Sequence, residues 1–275
     1  MVMISFNVFK NGKLLSSDIS KDLLKTKQNK VLFILHGLYG RGKNWQTFAK
    51  KYSSDRDQFV ITVNLRNHGG NEFKKEQSYL LMAEDVTEII NYLGLSKVDL
   101  LGHSMGGKLA MVITLLDESY IDKVVVADIA PVNYGEDNQN IIDILLGLDL
   151  SSINNRAHAD EVLSNYIDEK FLRTFLLQNL EFEEDKYKWS INLEVIKKSM
   201  IDLRSFPDFD HIKLIENKIL CIYGEDSDYV KGEYFNNFKH YFSNVSFQKI
   251  KDAGHFLHVE KASEFYEISL NFFKN

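Results

Sequence analysis

Short apolar runs rich in β-branched residues recur along the chain and alternate with longer stretches in which apolar positions return every three or four residues. Val31–Leu35, Phe59–Leu65, Lys97–Leu101 and Lys123–Ile129 are nearly continuous runs, as expected of strands buried on both faces of a parallel sheet. Ile219–Tyr223 and Val245–Ile250 extend the series, and the alternating Ile4–Phe9 reads as an edge strand. Tyr79–Leu93 is the clearest helix between them, with Leu80, Ala83, Val86, Ile89, Ile90 and Leu93 as its apolar stripe and Ser78 as N-cap. Met105–Leu116 and Ala262–Phe273 have the same amphipathic character.

From Tyr134 to about Asp210 the alternation stops. Ile141–Leu148, Ala159–Ile167, Glu169–Leu180 and Leu193–Leu203 read as helices, no strand is expected among them, and Asp137-Asn138, Ser151-Ser152 and the acidic Glu181–Lys188 read as loops. The pattern predicts an α/β core of residues 1–133 and 211–275, a mostly parallel sheet flanked by helices, with residues 134–210 inserted as a helical cap.

A chain of 275 residues is long enough for one such core and a smaller added layer. Its net charge of −6 argues against nucleic acid or an anionic membrane surface as a partner, which leaves a small molecule as the expected one. No apolar stretch approaches the roughly 20 residues that cross a bilayer, so no stable membrane insertion is expected. Met1–Lys13 lacks the layout of a secretory leader, which predicts a cytoplasmic protein. The single Cys221 sits inside an apolar run and reads as a core residue, in keeping with a reducing compartment. No Cys/His spacing suits zinc. Composition leaves the oligomeric state open.

The chemistry is concentrated in Gly102-His103-Ser104-Met105-Gly106-Gly107, a G-x-S-x-G between a predicted buried strand and a predicted helix. That context is what a nucleophile elbow requires: glycines where a Cβ would clash, and a serine Oγ held out at a helix N-terminus. A serine needs a base, and Gly254-His255, between the last strand and the last helix, supplies one at the carboxyl edge of the sheet. His258 is the competing base, whereas His158, His211 and His240 read as surface or packing residues. The oxyanion needs two backbone N–H donors. Met105 follows the nucleophile, and Leu38 lies in His36-Gly37-Leu38-Tyr39-Gly40, directly after the first buried strand.

These residues resemble the YbfF type of α/β hydrolases, small bacterial acyl esterases and thioesterases with mitochondrial relatives. The resemblance is carried by His36-Gly37-Leu38, Arg66-Asn67-His68-Gly69, the elbow followed by Lys108, Asp128-Ile129-Ala130-Pro131-Val132, Trp189, Asn192 and Gly254-His255. It implies the α/β-hydrolase fold, hydrolysis of carboxylic esters or acyl thioesters through an acyl-enzyme, no metal or organic cofactor, and an insert after Val132 that forms a lid over an acyl pocket. Ala262 departs from the proline common in the family. Carbon–carbon bond hydrolases and a menaquinone-pathway lyase share the same triad and cap, and a hydrolase-fold binding protein without catalysis is a further alternative.

Three carboxylates compete for the role of triad acid. The slot three residues beyond Gly224 holds Ser227, with Asp226 and Asp228 on either side of it. Asp128 ends an apolar strand, where a carboxylate needs a hydrogen-bonding partner such as the His255 Nδ1–H. The resemblance also puts the acid at Asp128, which is favoured, and Asp226 and Asp228 stay open. Arg66-Asn67-His68-Gly69 reads as a polar turn with positive φ at Asn67 and a glycine, and Lys74-Lys75 and Lys197-Lys198 read as solvated. Phe171, Phe175, Phe182 and Tyr187 are expected to be mostly core, with some lining an apolar pocket.

Overall fold

The apolar runs find each other across a single eight-stranded sheet. The computed structural model describes residues 3–15, 30–135, 141–209 and 213–274. In chain order the strands are β1 (Phe6–Lys10), β2 (Lys13–Leu14), β3 (Val31–Leu35), β4 (Phe59–Val63), β5 (Val98–His103), β6 (Ile121–Ala127), β7 (Leu180–Glu183), β8 (Lys186–Trp189), β9 (Lys218–Gly224) and β10 (Val245–Ile250). The large sheet has the order β10-β9-β6-β5-β3-β4-β1-β2, while β7 and β8 form a separate hairpin. Strands β10 to β4 in that order pair in parallel, and β1 and β2 close the far edge antiparallel.

Inside the edge strand β10 both faces of the parallel part are covered, which is why β3, β4, β5, β6 and β9 lack polar alternation. On one face Val31, Phe33 and Leu35 pack with Val86, Ile90 and Leu109 of the helices Tyr79–Tyr92 and Met105–Leu116. On the other, Leu32 and Ile34 pack with Tyr52, Phe265 and Phe273. Cys221 is buried within β9. Ser78 caps the helix Tyr79–Tyr92, its Oγ accepting from the Leu81 N–H at 3.2 Å. Leu80 leaves the expected stripe and is 47% exposed. The buried line passes through Tyr79, Met82, Val86 and Ile90, and Leu80 stands about 100° round the helix from Tyr79.

The segment after β6 contains the helices Ile141–Leu146, Arg156–Leu163, Lys170–Leu177, Leu193–Lys198 and Met200–Arg204. It also contains the β7–β8 hairpin, where a loop and no strand were expected. Glu181 faces Lys188 and Glu183 faces Lys186, while Glu184 and Asp185 turn the chain with φ of 52° and 61°. Cross-strand charge pairs and a left-handed two-residue turn make a hairpin of what composition alone suggests is a solvated loop. The helix expected to reach Leu180 ends at Leu177 for the same reason, and the one expected over Leu193–Leu203 breaks at Ser199. The helices Gln46–Asp55 and Phe235–Tyr241 fall where the apolar pattern indicated none. Phe171 and Phe182 are 40% and 61% exposed, so the aromatic excess here is not mostly core. Phe175 and Tyr187 are partly buried against the core. Asp137-Asn138 and His211 lie outside the described residues. Among the described residues, no helix is long and apolar enough to cross a membrane.

Candidate active site

Strand β5 ends at His103, and the helix Met105–Leu116 begins two residues later, so Ser104 alone makes the turn. It does so at φ 53° and ψ −121°, a left-handed backbone state costing an L-residue roughly 1–3 kcal/mol. The turn survives because its neighbours leave no room for side chains. A Cβ on Gly102 would stand 2.1 Å from the Gly106 carbonyl oxygen, and one on Gly106 would stand 2.2 Å from that of Leu35. The Ser104 N–H donates to the Ala127 carbonyl at 2.9 Å, fixing the elbow to the end of β6.

Asp128 follows β6 directly, with φ 51° and no exposed surface. His255 lies between β10 and the helix Leu257–Glu260. Its Nε2 is 3.0 Å from Ser104 Oγ and its Nδ1 is 2.7 Å from Asp128 Oδ2. A carboxylate accepts only, so Nδ1 carries the proton and Nε2 is left to accept from the serine hydroxyl. Asp128 also accepts from the Gly224 N–H at 3.0 Å and from the Ser227 hydroxyl. Three donors therefore meet a fully buried carboxylate, which offsets the cost of burying its charge. Asp226 and Asp228 point elsewhere in the same turn: both are exposed, and Asp228 pairs with Lys231 at 3.3 Å.

Ser227 is the part of this arrangement that residue patterns missed. It occupies the slot where a carboxylate was sought, and it serves the carboxylate on the neighbouring strand instead. Tyr229, two residues on, stacks its ring on His255 with centroids 4.0 Å apart.

Three other histidines, His36, His103 and His258, are built into the walls beside Ser104. His103 donates from Nε2 to the His255 carbonyl at 2.8 Å, and burial holds it well below its ordinary pKa. His258 lies flat on Trp45 at 4.5 Å, and burial pushes it down to about 3, which leaves it neutral and poorly basic. His36 donates from Nδ1 to the Gly37 carbonyl at 2.8 Å and accepts the Leu65 N–H at Nε2 at 3.0 Å. Burial likewise brings it to about 3, and its two bonds fix the tautomer and the loop that bears Leu38. Tyr39, next to Leu38, has φ 61°. Asn67 and Gly69 adopt φ of 62° and 64°, so Arg66-Asn67-His68-Gly69 is a left-handed polar turn, anchored by paired Arg66–Asp85 bonds of 2.7 and 2.8 Å.

Polar contacts bind the segment after β6 to the rest at several places. Asn179 Nδ2 donates to the Tyr39 carbonyl at 2.7 Å, and Arg41 donates to the Gln178 carbonyl at 2.9 Å. The Asn192 N–H donates to the Asn67 carbonyl at 2.9 Å. Lys108 Nζ donates to the carbonyls of Val132, Arg204 and Ser205 at 2.9, 2.6 and 2.9 Å, with the Tyr134 ring 4.7 Å away. Burial pushes this ammonium down to about 7, while three carbonyl oxygens and a π face hold its charge.

Two cavities open on Ser104. One of about 410 Å³ is lined by Leu38, Met105 and Ile129 together with Tyr134, Leu203 and Arg204. The other, of about 310 Å³, is lined by His255 and Phe256 with Trp45, Ile142, Leu172 and Phe175. Among the described residues, no group of three His, Cys, Asp or Glu could hold a metal ion.

A family model described as alpha/beta hydrolase fold matches residues 30–262. The sn-1-specific diacylglycerol lipase ABHD11 of Danio rerio is 32% identical over 247 residues, spanning 88% of this chain and 77% of the lipase. Esterase YbfF of Escherichia coli (strain K12) is 29% identical over 237 residues, spanning 85% of this chain and 89% of the esterase. A solved structure described as a marine microorganism esterase superposes with a TM-score of 0.88 at 33% identity, covering 99% of this chain and 100% of that one. The chain belongs to the α/β-hydrolase family, and within it to the esterases of the YbfF type.

Proposed function

We propose that the chain hydrolyses carboxylic esters or acyl thioesters, with Ser104 as nucleophile, His255 as the base and then the acid, and Asp128 as the carboxylate that orients it. The observation that carries this reading is the continuous chain of contacts from Ser104 Oγ through His255 Nε2 and Nδ1 to Asp128 Oδ2, at 3.0 and 2.7 Å. As Oγ bonds to the carbonyl carbon, its proton passes to Nε2 and the carbonyl π pair moves to oxygen. The Leu38 and Met105 N–H groups would hold that oxyanion; Met105 begins a helix, so its N–H has no partner one turn back in that helix. Nε2 then gives its proton to the leaving oxygen or sulfur, and the acyl group stays on Ser104. Water reverses the sequence: it loses a proton to Nε2, attacks the acyl carbon, and the acid departs as Oγ regains the proton.

Every proton in this sequence is handled by these side chains, so no metal or organic cofactor is required. Residues 134–210 would act as a cap over the nucleophile, set on a core of residues 1–133 and 211–275. The apolar walls around Ser104 favour uncharged, hydrocarbon-bearing substrates. The names of the curated relatives, a diacylglycerol lipase and an esterase, fit this class.

The test is a stopped-flow turnover of p-nitrophenyl acetate, with mass analysis of the quenched enzyme. A burst of one p-nitrophenol per chain and an acetylated peptide containing Ser104 are expected. A peptide acylated elsewhere, or turnover of vinylogous diketones with no ester cleavage, would favour another nucleophile or a carbon–carbon bond hydrolase.

A further inference from the structure

The two cavities at Ser104 stand in different relations to the catalytic groups, and the chemistry assigns each a different half of the substrate. This assignment rests on the proposed serine mechanism. In the tetrahedral species the reacting carbon carries four groups: Ser104 Oγ, the oxyanion, the leaving oxygen or sulfur, and the acyl substituent. The leaving atom takes its proton from His255 Nε2 and must lie within hydrogen-bond reach of that ring. The oxyanion lies at the Leu38 and Met105 N–H groups. The acyl substituent is left with the direction away from His255.

His255 lines the cavity of about 310 Å³ and does not line the one of about 410 Å³, whereas Met105 and Ile129 line only the latter. We infer that the His255-side cavity receives the leaving group and the Met105-side cavity receives the acyl group. The walls then give the substrate class. Trp45, Ile142, Leu172, Phe175 and Phe256 surround the leaving-group side. Its other histidines, His36, His103 and His258, are held neutral by burial, so they present ring surface and no charge. A hydrocarbon chain or ring on the alcohol fits this apolar part of the wall, to which Asn44 and Arg204 add polar groups.

The acyl side carries more polar groups, Asp228 and Arg204 among them, the latter lining both cavities, and three of its donor side chains are already engaged. All three Lys108 N–H donors go to carbonyls, the Tyr79 hydroxyl donates to the Leu203 carbonyl at 2.8 Å, and the Tyr134 hydroxyl donates to the Tyr229 carbonyl at 2.6 Å. A substrate carboxylate would find no spare donor on these three side chains, so they recognise no charged acyl tip. The preferred substrates are oxygen esters of hydrophobic alcohols, acylglycerols and fatty-alcohol esters among them, with selectivity residing on the alcohol side.

Two ester series separate the halves: acetates of ethanol, butanol and hexanol, and ethyl esters of acetic, butyric and hexanoic acids, followed by pH-stat. Each fully buried methylene is worth about fourfold. From ethyl to hexyl acetate kcat/KM should rise at least about tenfold, and more steeply than from ethyl acetate to ethyl hexanoate. In Leu172→Trp, which fills only the leaving-group cavity, the ratio of kcat/KM for hexyl acetate to that for ethyl hexanoate should fall at least about tenfold. In Leu203→Trp, which fills only the acyl cavity, it should rise. The ratio is taken within one enzyme sample, so a partly unfolded fraction cancels. If a variant does not fold at all, the wild-type slopes decide. A steeper acyl slope, or ratios moving the opposite way, overturns the assignment. Absence of any ester cleavage, together with no labelling of Ser104 by a small fluorophosphonate, would instead sink the serine mechanism.

Discussion

The Ser227 hydroxyl donates to Asp128 Oδ2, the same carboxylate oxygen that accepts the His255 ring N–H. Ser227 thus limits how Asp128 can turn, and Asp128 limits how His255 can turn. Ser227→Ala removes one of three donors and leaves His255 and the Gly224 N–H in place. The expected result is a fall of about tenfold in kcat with KM little changed, since a charge-assisted bond of roughly 1.5–3 kcal/mol is only partly lost to reorientation. Steady-state kinetics on one p-nitrophenyl ester checks this, and an unaltered kcat would remove Ser227 from the account.

Replacing the proposed acid is expected to have a larger effect. Asp128→Asn keeps the shape but can hold His255 in the wrong tautomer, and kcat is expected to drop about 10⁴-fold. Asp226→Asn and Asp228→Asn, both on exposed side chains, should stay within about twofold of wild type. A large loss in either of these, with a near-normal Asp128→Asn enzyme, would move the acid to the turn after β9.

Lys108 ties together the two stretches that cross between the sheet and the segment above it, Val132 on one side and Arg204-Ser205 on the other. Lys108→Met leaves these carbonyls without their donor, and an expected loss of about 2–3 kcal/mol follows, read from urea midpoints. KM should rise as well, because Tyr134 and Arg204 line the cavity these stretches carry. Unchanged midpoint and KM would show the ammonium to be dispensable.

Asp99, far from the site at the start of β5, is 2% exposed and has an Oδ1 without a partner. Burial is the main cause that raises its pKa from 3.8 to about 7. Between these values the folded chain holds a proton that the unfolded chain has lost, so this group's contribution to stability falls as pH rises from 3.8 to about 7, then levels off. Asp99→Asn is neutral throughout. Its stability relative to wild type should therefore grow across that window, measured as the difference in urea midpoints at pH 4.5 and pH 8. A constant difference would place the Asp99 pKa near its unfolded value.

How much of this could be read from residues alone depended on how local the determinants were. The parallel strands and the elbow were readable because burial on two faces and a G-x-S-x-G are written in consecutive residues. His255 was readable because a Gly-His on the loop after the last strand reaches the same sheet edge as Ser104. The β7–β8 hairpin was not, because its charge pairing appears only once Glu181 is known to face Lys188. Lys108 offered a family motif but no partners: its acceptors lie 24, 96 and 97 residues away. Ser227 gave a usable signal, an empty carboxylate slot beside a competing aspartate, whose meaning needed the distance between two strands.

The central claim is that Ser104 is the nucleophile, and the most direct measurement is kcat of Ser104→Ala on a p-nitrophenyl ester, beside a far-UV spectrum and urea midpoint of the same sample. The account predicts an intact fold and a loss on the order of 10⁴–10⁶ in kcat. A folded Ser104→Ala protein that retains more than about a tenth of wild-type activity would contradict it.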